Sequence, residues 1–584
     1  MKFKYLLMII IIFGCVLQKV NAGVHSHHTM LNPKGSFTKM RTVPLKQLTA
    51  NTAGSLDTTF GIGGVDTLDP LGYSSQGNAM ALQPDGKIII AGTSQTAEFN
   101  STDVFSVARF DSNGIVDNTF GTKGWAVTSI TSTGTYGYAR AHAVAVQQDG
   151  KIVVVGNSYD QTNASAFGIA RFNSNGTIDS TFGNNGSLRI AFNANGGDFA
   201  RSVVIQPDGK IIAVGRTSVV INYNGSNVMQ YYFAAARFTQ DGKLDSTFGV
   251  NGTATVLAGG DSTIFEGTSA ALQTDGKILI AGYGAFFNSQ QFNHFIVARL
   301  DSNGTIDSTF GKNGISNLNN IAGTDSSNDV CYALAVQSDG KILLAGSSGT
   351  NPAIALLNPN GTPDNSFGND GSEAIHLYTS LYAYTNWTCN SVCVQSDGKI
   401  IVGGNNEEDY SKRQSFALCR LNPDGSLDDT FADSGWATIG DILNYNIPAY
   451  FSIVSVKIAP DGKIIAGGSN SPSFNVARFL TENTTTAVSA KQTLPISFQL
   501  LQNYPNPFNP STIINFSIVK SGLVTLKVYN ILGELVRTLV NKYENSGKHK
   551  IFFDADNYGL ASGVYFYRLK ENNFIKTDKM VYLK

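Results

Sequence analysis

Three short motifs recur seven times between residues 54 and 480, at a period of about 62 residues, and nothing else in the chain limits its fold so strongly. The first is Asp-Gly-Lys, beginning at Asp85, Asp149, Asp208, Asp275, Asp339, Asp397 and Asp461, each set between two apolar runs such as AVAVQQDGKIVVVG. The second ends a strand in Ala-Arg-Phe or a close variant, with Arg109, Arg171, Arg237, Arg299, Arg420 and Arg478, and with Leu356 in the fifth copy. The third is an Asp-x-Ser/Thr-Phe segment carrying Phe60, Phe120, Phe182, Phe248, Phe310, Phe367 and Phe431. A unit of this size cannot bury its own apolar face, so its copies must stack on one another.

Each copy supplies four candidate strands, for instance residues 187–192, 201–206, 210–215 and 232–238. The runs flanking Asp-Gly-Lys are almost continuously apolar, as expected of strands covered on both faces by neighbouring sheets. Four strands per repeat predict a β-propeller, and an open β-solenoid has the same periodicity. The termini favour a ring: LDTTFG at residues 56–61 lacks a preceding partner, Ala-Arg-Phe at 477–479 lacks a following one, and joining them completes a seventh copy. Composition agrees, because 15% charged residues, 60 glycines and 35 phenylalanines exclude a coiled coil or helical bundle. These motifs resemble the delta-60 repeat, a family of bacterial β-propeller-like repeats. The resemblance implies a fold and brings no reaction with it.

The repeated residues read first as architecture. Asp-Gly suits a type I′ hairpin turn. Each arginine precedes an aspartate by eight positions across an Asn-Gly or similar turn, from Arg109 and Asp117 to Arg420 and Asp428, which predicts a latch and leaves Asp364 without its arginine in the fifth copy. The loop DSNGTID at 301–307 lacks the sixth-position glycine and distal glutamate of an EF-hand. Cys331 and Cys389 hold equivalent positions, while Cys393 and Cys419 fall on strands separated by a third and are expected to be buried free thiols.

Both ends read as addresses. Lys2 and Lys4 precede an apolar run over residues 5–13, and Val20 and Ala22 place small side chains before Gly23, so residues 1–22 are expected to be a signal peptide and 23–53 an N-terminal extension. Residues 54–480 form the propeller, and the polar segment 481–493 is a linker and the natural site of cleavage. In residues 494–584, the alternation of TLKVYN and VYFYRL indicates half-buried strands, while the prolines from Pro505 to Pro510 forbid a helix. A small Ig-like β-sandwich is expected. YPNPFNP at 504–510, VYNILG at 528–533, GVYFYRL at 563–569 and the Lys579-Met580 segment resemble, in order, the type A C-terminal sorting domain of the type IX secretion system. That resemblance implies the type IX machinery as a partner and a secreted protein, or one displayed on the outer-membrane surface of a Gram-negative bacterium. The complete expectation is an all-β chain, a seven-bladed β-propeller followed by a small Ig-like β-sandwich.

A net charge of -1 gives no field for nucleic acid, and no stretch of 18 apolar residues exists to form a transmembrane helix. Alternating strand directions put the Asp-Gly-Lys turns and the LDSTFG segments, read as connectors between blades, on one invariant face, and the variable loops on the other. Trp387, Tyr382, Tyr384, Phe286, Phe287 and Tyr445 fall in those variable segments among Asn, Ser and Gln. Flat apolar rings stack on sugars while amides bond their hydroxyls, so these six are the candidate ligand-binding residues of a binding or adhesion module for a glycan or other extracellular polymer. The alternative is a polysaccharide-acting hydrolase or lyase using Glu266 or Glu407 with a loop aspartate. No GxSxG, P-loop or HExxH element is present, no Cys/His spacing suits zinc, and no catalytic residue, metal or cofactor is assigned.

Overall fold

The computed structural model describes residues 52–482 and 498–584, except 97–101, 131–137, 160–163, 194–196, 224, 258–261, 287–291, 320, 322–327, 376–384, 409–413, 433–434, 439–450, 471–472, 504–505, 519–521, 545–546, 556–557 and 572–573. The expected signal peptide lies outside these residues, as do the N-terminal extension except residues 52–53 and the linker except residues 481–482. Among the described residues regular structure is β throughout, apart from short turns, and no helix is long and apolar enough to cross a membrane.

Seven four-stranded antiparallel sheets account for the repeats. In the second, the strands Ala139–Val146, Ile152–Tyr159, Ser165–Phe172 and Ser187–Ile190 lie side by side in chain order. The two middle strands are buried along nearly their whole length. The inner core of each seam comes from two adjacent sheets, as where Val153, Val155, Phe167 and Phe182 of the second blade meet Ala200, Ile211, Ala234 and Phe238 of the third.

The short outer strand corrects one expectation. Ser187–Ile190 pairs with Ser165–Phe172 and so ends the second blade, whereas the repeat pattern grouped it with the strands that follow. The segment carrying Phe182 is therefore a link inside a blade. Its geometry explains the choice: the Asp179 amide donates to Arg171 O at 2.9 Å and the Arg171 amide to Gly186 O at 2.9 Å, folding the segment back on its own third strand. The outer strands therefore end, and the next blade's inner strands begin, at the strand ends opposite the Asp-Gly-Lys turns.

The ring closes through the two ends of the repeat region. The seventh sheet holds Phe451–Ile458, Ile464–Asn470 and Ser473–Phe479, and its outer strand is Val65–Leu68 from the beginning of the array. Val65 pairs with Ala477 and Leu68 with Phe474. Met80, Ile88 and Ile90 of the first blade share a core with Ile465, Phe474 and Val476 of the seventh. A solenoid would leave both end sheets with one bare face.

The hairpin turn is also different from the expected type. In Gln83–Lys87 the Gly86 amide donates to Gln83 O and the Gln83 amide to Lys87 O, and within the turn the glycine carries the positive φ, +83°. This is a type I turn followed by a G1 bulge, which needs one left-handed residue where type I′ needs two. Asp85 is left in an ordinary conformation, and its carboxylate accepts from the Lys87 amide at 3.1 Å.

That turn also aims its lysine. Lys87, Lys151, Lys210, Lys277, Lys341, Lys399 and Lys463 each reach the aspartate of the Phe-bearing segment, at 2.6 to 3.3 Å. In six blades the same carboxylate accepts from the arginine Nε at 2.7 to 2.9 Å, and the guanidinium lies over the phenylalanine ring at 4.5 to 4.8 Å. Asp364 is not abandoned in the fifth copy, because Lys341 holds it at 2.7 Å. Each latch also crosses a blade seam: Arg109 donates to Ser174 O at 2.5 Å, and the Gly121 amide donates to Asn175 O at 2.7 Å. The phenylalanine ends under the next blade's turn glycine, where a Cβ on Gly176 would stand 3.0 Å from the Phe120 ring and 2.7 Å from the Gly121 nitrogen.

Residues 498–584 form two antiparallel sheets. Gln499–Leu500, Ser511–Ile518 and Gly547–Asp554 make one, and Gly522–Tyr529, Leu535–Glu544, Gly563–Glu571 and Phe574–Tyr582 the other. Ile514 and Phe516 of the first share a core with Val524, Leu526, Tyr567 and Tyr582 of the second. Tyr567 ties the incoming chain down, accepting from the Asn503 amide and donating to Leu501 O, both at 2.9 Å.

Candidate functional site: an axial ring of bulged residues

The innermost strand of every blade carries a β-bulge at an equivalent position, and that of the fourth blade has a second between Ser262 and Ile264. The pairing register skips one residue between Gly77 and Ala79, Ala141 and Ala143, Ala200 and Ser202, Gly267 and Ser269, Cys331 and Ala333, Cys389 and Ser391, and Ile453 and Ser455. The seven residues left over are Asn78, His142, Arg201, Thr268, Tyr332, Asn390 and Val454. A bulge turns its extra side chain out of the ladder. Here all seven line one cavity of about 530 Å³, to which every blade contributes, so the cavity lies on the ring axis.

A glycine opposite each bulge makes it possible. On Gly92, Gly156, Gly215, Gly282, Gly346, Gly404 and Gly468 a Cβ would fall 1.6 to 1.9 Å from a carbonyl oxygen of the inner strand. These glycines stand seven residues after the Asp of Asp-Gly-Lys, and the bulged residues seven before it. That spacing was present in the sequence, and it identifies ring positions that apolar periodicity does not.

Three ring residues stitch blades together. Asn78 donates to Ala141 O at 2.8 Å, Thr268 to Cys331 O at 2.8 Å and Asn390 to Ile453 O at 2.9 Å, each reaching the next inner strand. The second, third and fourth blades instead concentrate ionisable groups. Arg201 Nε donates to Glu266 Oε1 at 3.0 Å, and Arg216, one layer behind, donates to Glu266 Oε2 at 2.5 Å. Glu266 is 4% exposed. The Arg216 guanidinium lies 4.6 Å from the Phe199 ring centre and 4.9 Å from that of Tyr231.

His142 Nε2 lies 2.5 Å from the Asn157 amide oxygen, and since that oxygen only accepts, the ring proton sits on Nε2 and Nδ1 keeps its lone pair. Burial, with Arg201 beside it, lowers His142 to about 4, so it is neutral near pH 7. Burial and the Glu266 carboxylate raise the Tyr283 phenol to about 12, and burial raises Tyr332; both keep their protons as donors. The lining thus holds two cations, Arg201 and Lys457, against the single carboxylate of Glu266.

Beside this wall the third blade is extended. Its two middle strands, Ile211–Tyr223 and Ser226–Phe238, run 13 residues each, against 8 for those of the second blade. They continue as a hairpin past Arg216, exposing Val220 and Met229.

Of the six aromatic residues chosen from the sequence, Trp387 is the one whose side chain is described. Trp387 requires correction as an exposed platform: it is 5% exposed, its ring meets Trp436 edge-on at 5.9 Å, and its amide donates to Thr350 O at 3.1 Å across the seam with the fifth blade. The inner strand Thr385–Val394 runs through that position, which draws the ring inward. Tyr382, Tyr384, Phe287 and Tyr445 lie outside the described residues, and Phe286 ends the strand Ile278–Phe286 with its side chain likewise outside them. Of the two glutamates weighed for catalysis, Glu266 lines the cavity with both oxygens held by guanidinium groups, and Glu407 lies in the strand Ile400–Glu408. Four cysteines are described, all free; three are buried, and burial pushes Cys331 and Cys419 up to about 12.

Residues 83–120, 147–182, 206–248, 273–310, 337–367, 395–431 and 459–483 match the repeat described as a domain of unknown function (DUF5122) beta-propeller. Residues 502–583 match the secretion system C-terminal sorting domain. No curated protein matches the chain. Among solved structures, the chain is similar to PorZ, described as an essential surface component of the type-IX secretion system of Porphyromonas gingivalis, at 12% identity and a TM-score of 0.37, over 95% of this chain and 62% of that one. It thus spans less than two thirds of that protein. It is also similar to a Staphylococcus aureus virginiamycin B lyase at 11% identity and a TM-score of 0.38, over 71% and 99% of the two chains. A GH93 α-L-arabinofuranosidase of Fusarium graminearum follows at 9% identity and a TM-score of 0.36, over 64% and 97%. The sorting domain makes this a secreted or cell-surface protein of a Gram-negative bacterium. The chain is a seven-bladed propeller of DUF5122 repeats that ends in a type IX secretion system C-terminal sorting domain.

Proposed function

We propose that the propeller is a binding or adhesion module for an extracellular polymer, specifically a glycan, and that the sorting domain delivers it to the cell surface or medium. One observation carries this: seven copies repeat the turn, latch and bulge, yet the bulged side chains facing the axis are asparagine twice and five other residues once each. The scaffold is uniform where it must pack and diverse where it meets a ligand. A cavity of about 530 Å³ is in the range of small-ligand sites, and its amides, hydroxyls and phenols suit sugar hydroxyls.

Binding is favoured over hydrolysis because Glu266 is the single carboxylate among the lining residues, and both its oxygens are engaged. Carboxylate-based glycoside hydrolysis needs a pair. The test is to incubate the full chain with soluble polysaccharides and measure retention and new reducing ends together. Retention without cleavage is expected. Cleavage that disappears in Glu266→Gln would replace this reading with the enzymatic one.

A further inference from the structure

Resting on the binding reading, we infer that the axial cavity selects an anionic glycan, with the carboxylate or sulfate of an acidic sugar seated against Arg201. The argument begins with charge. Glu266 is shared by two guanidinium groups, so one positive charge remains in the Arg201–Glu266–Arg216 cluster after pairing. Arg216 stands behind the carboxylate, with its guanidinium against the rings of Phe199 and Tyr231. Arg201 stands in the cavity wall with its side chain 34% exposed.

Arg201 also keeps unused donors. Its Nε is committed to Glu266, and its Nη1 lies 3.4 Å from both ring nitrogens of His142, a position over the ring edge that makes neither a strong hydrogen bond. The second terminal nitrogen makes no hydrogen bond among the described residues. A guanidinium with free donors and a neutralised partner behind it is suited to a carboxylate or sulfate oxygen. Every other charged group on the wall agrees. Lys457 adds a second cation from the seventh blade. Arg140, beside the second blade's ring position, is paired with Asp103 at 2.7 Å, and the pair carries no net charge.

The uncharged groups fit the rest of such a sugar. Tyr283 and Tyr332 offer phenol donors, and the Nδ1 lone pair of His142 accepts from a ring hydroxyl. The whole protein carries a net charge of -1, so general attraction for polyanions does not account for selectivity. Any preference for acidic chains must arise locally.

The test uses the full chain with three probes: polygalacturonate for carboxylate, dextran sulfate for sulfate and dextran as the neutral control. Affinity electrophoresis or titration calorimetry should give at least 10-fold tighter binding to one of the anionic polymers than to dextran. The preferred polymer identifies which anion is read. Arg201→Gln should reduce that binding at least 10-fold and Arg201→Lys should restore part of it. Because removing Arg201 also takes one of its two guanidinium partners from buried Glu266, Lys457→Glu serves as the second variant: it alters an exposed side chain and should weaken the same binding with an unchanged melting temperature. Retention of dextran alone would overturn the acidic-glycan inference and leave the binding reading standing. Failure to retain any polysaccharide, neutral or acidic, would defeat both. Binding of an anionic polymer unaffected by Arg201→Gln and Lys457→Glu would place recognition away from the axis and overturn the inference.

Discussion

The aspartate that recurs in each latch shows how a charge is made safe in a packed β-structure. At Asp57, burial alone would raise the carboxyl, but Lys463, the Thr59 hydroxyl and amide, and Arg478 reverse that effect and hold it at about 2. Asp117 is held at about 2 by the corresponding groups, and Asp364 is brought to about 2 chiefly by Lys341. Carboxyls depressed in the folded state stabilise it fully above the unfolded value near 4, and that contribution is lost as pH falls toward 2. Acid titration of the folded chain should therefore show cooperative unfolding between about pH 4 and 2, followed by circular dichroism. In Asp179→Asn the Arg171 guanidinium, 6% exposed, loses its charged partner, and denaturant unfolding should show a loss of about 3 to 5 kcal/mol. Phe182→Ala should cost about 3 to 5 kcal/mol through the cavity it leaves at a fully buried position. Trp387→Ala belongs with these, since its ring packs on Trp436: a drop in unfolding midpoint is expected, and an unchanged midpoint would return it to the surface.

At the scale of strands, the sequence was legible where a position repeats and obscure where it varies. Asp-Gly-Lys, the latch arginine and the buried phenylalanine predicted the four-strand unit, the Arg–Asp pairing across eight residues and the meeting of the two ends. Lys87 and its equivalents were missed as latch members because a turn lysine in isolation reads as solvated, and only the G1 geometry shows where it is aimed. The outer strand was assigned to the wrong blade because Ser187–Ile190 is four residues long and its pairing depends on backbone bonds around Gly186. The axial ring escaped for a different reason. A bulge breaks the period-two alternation by which inward residues are counted, so Arg201 and His142 fall out of phase with their own strands. Replacing Gly215 with alanine should test the device, because a Cβ there would stand 1.8 Å from Phe199 O. The expected result is loss of the folded ring, seen as a collapse of near-ultraviolet dichroism.

The whole molecule divides its labour between two folds with separate cores. In the ring, stability is shared among seven similar seams, so removing one complete repeat, residues 173–238, should abolish cooperative melting where an open array would lose only one unit and its neighbours. Calorimetry of that deletion distinguishes the two: a transition as sharp as the parent's would contradict a closed ring.

The seventh seam has an implication in time as well as in space. Asp57 and Arg478, whose 2.9 Å contact belongs to it, are 421 residues apart, and bringing such distant points together costs an unfolded chain about 5 kcal/mol of entropy. Six blades complete themselves from consecutive strands. The seventh needs a strand laid down before any of the others, which must wait unpaired until the array behind it has formed. Assembly is thereby ordered: local sheets first, the join last, and until then Ser473–Phe479 presents an open edge that accepts any matching strand. Refolding should accordingly show a late phase, absent from a chain lacking residues 52–68, and a peptide of those residues supplied separately should bind that shortened chain and restore the missing strand.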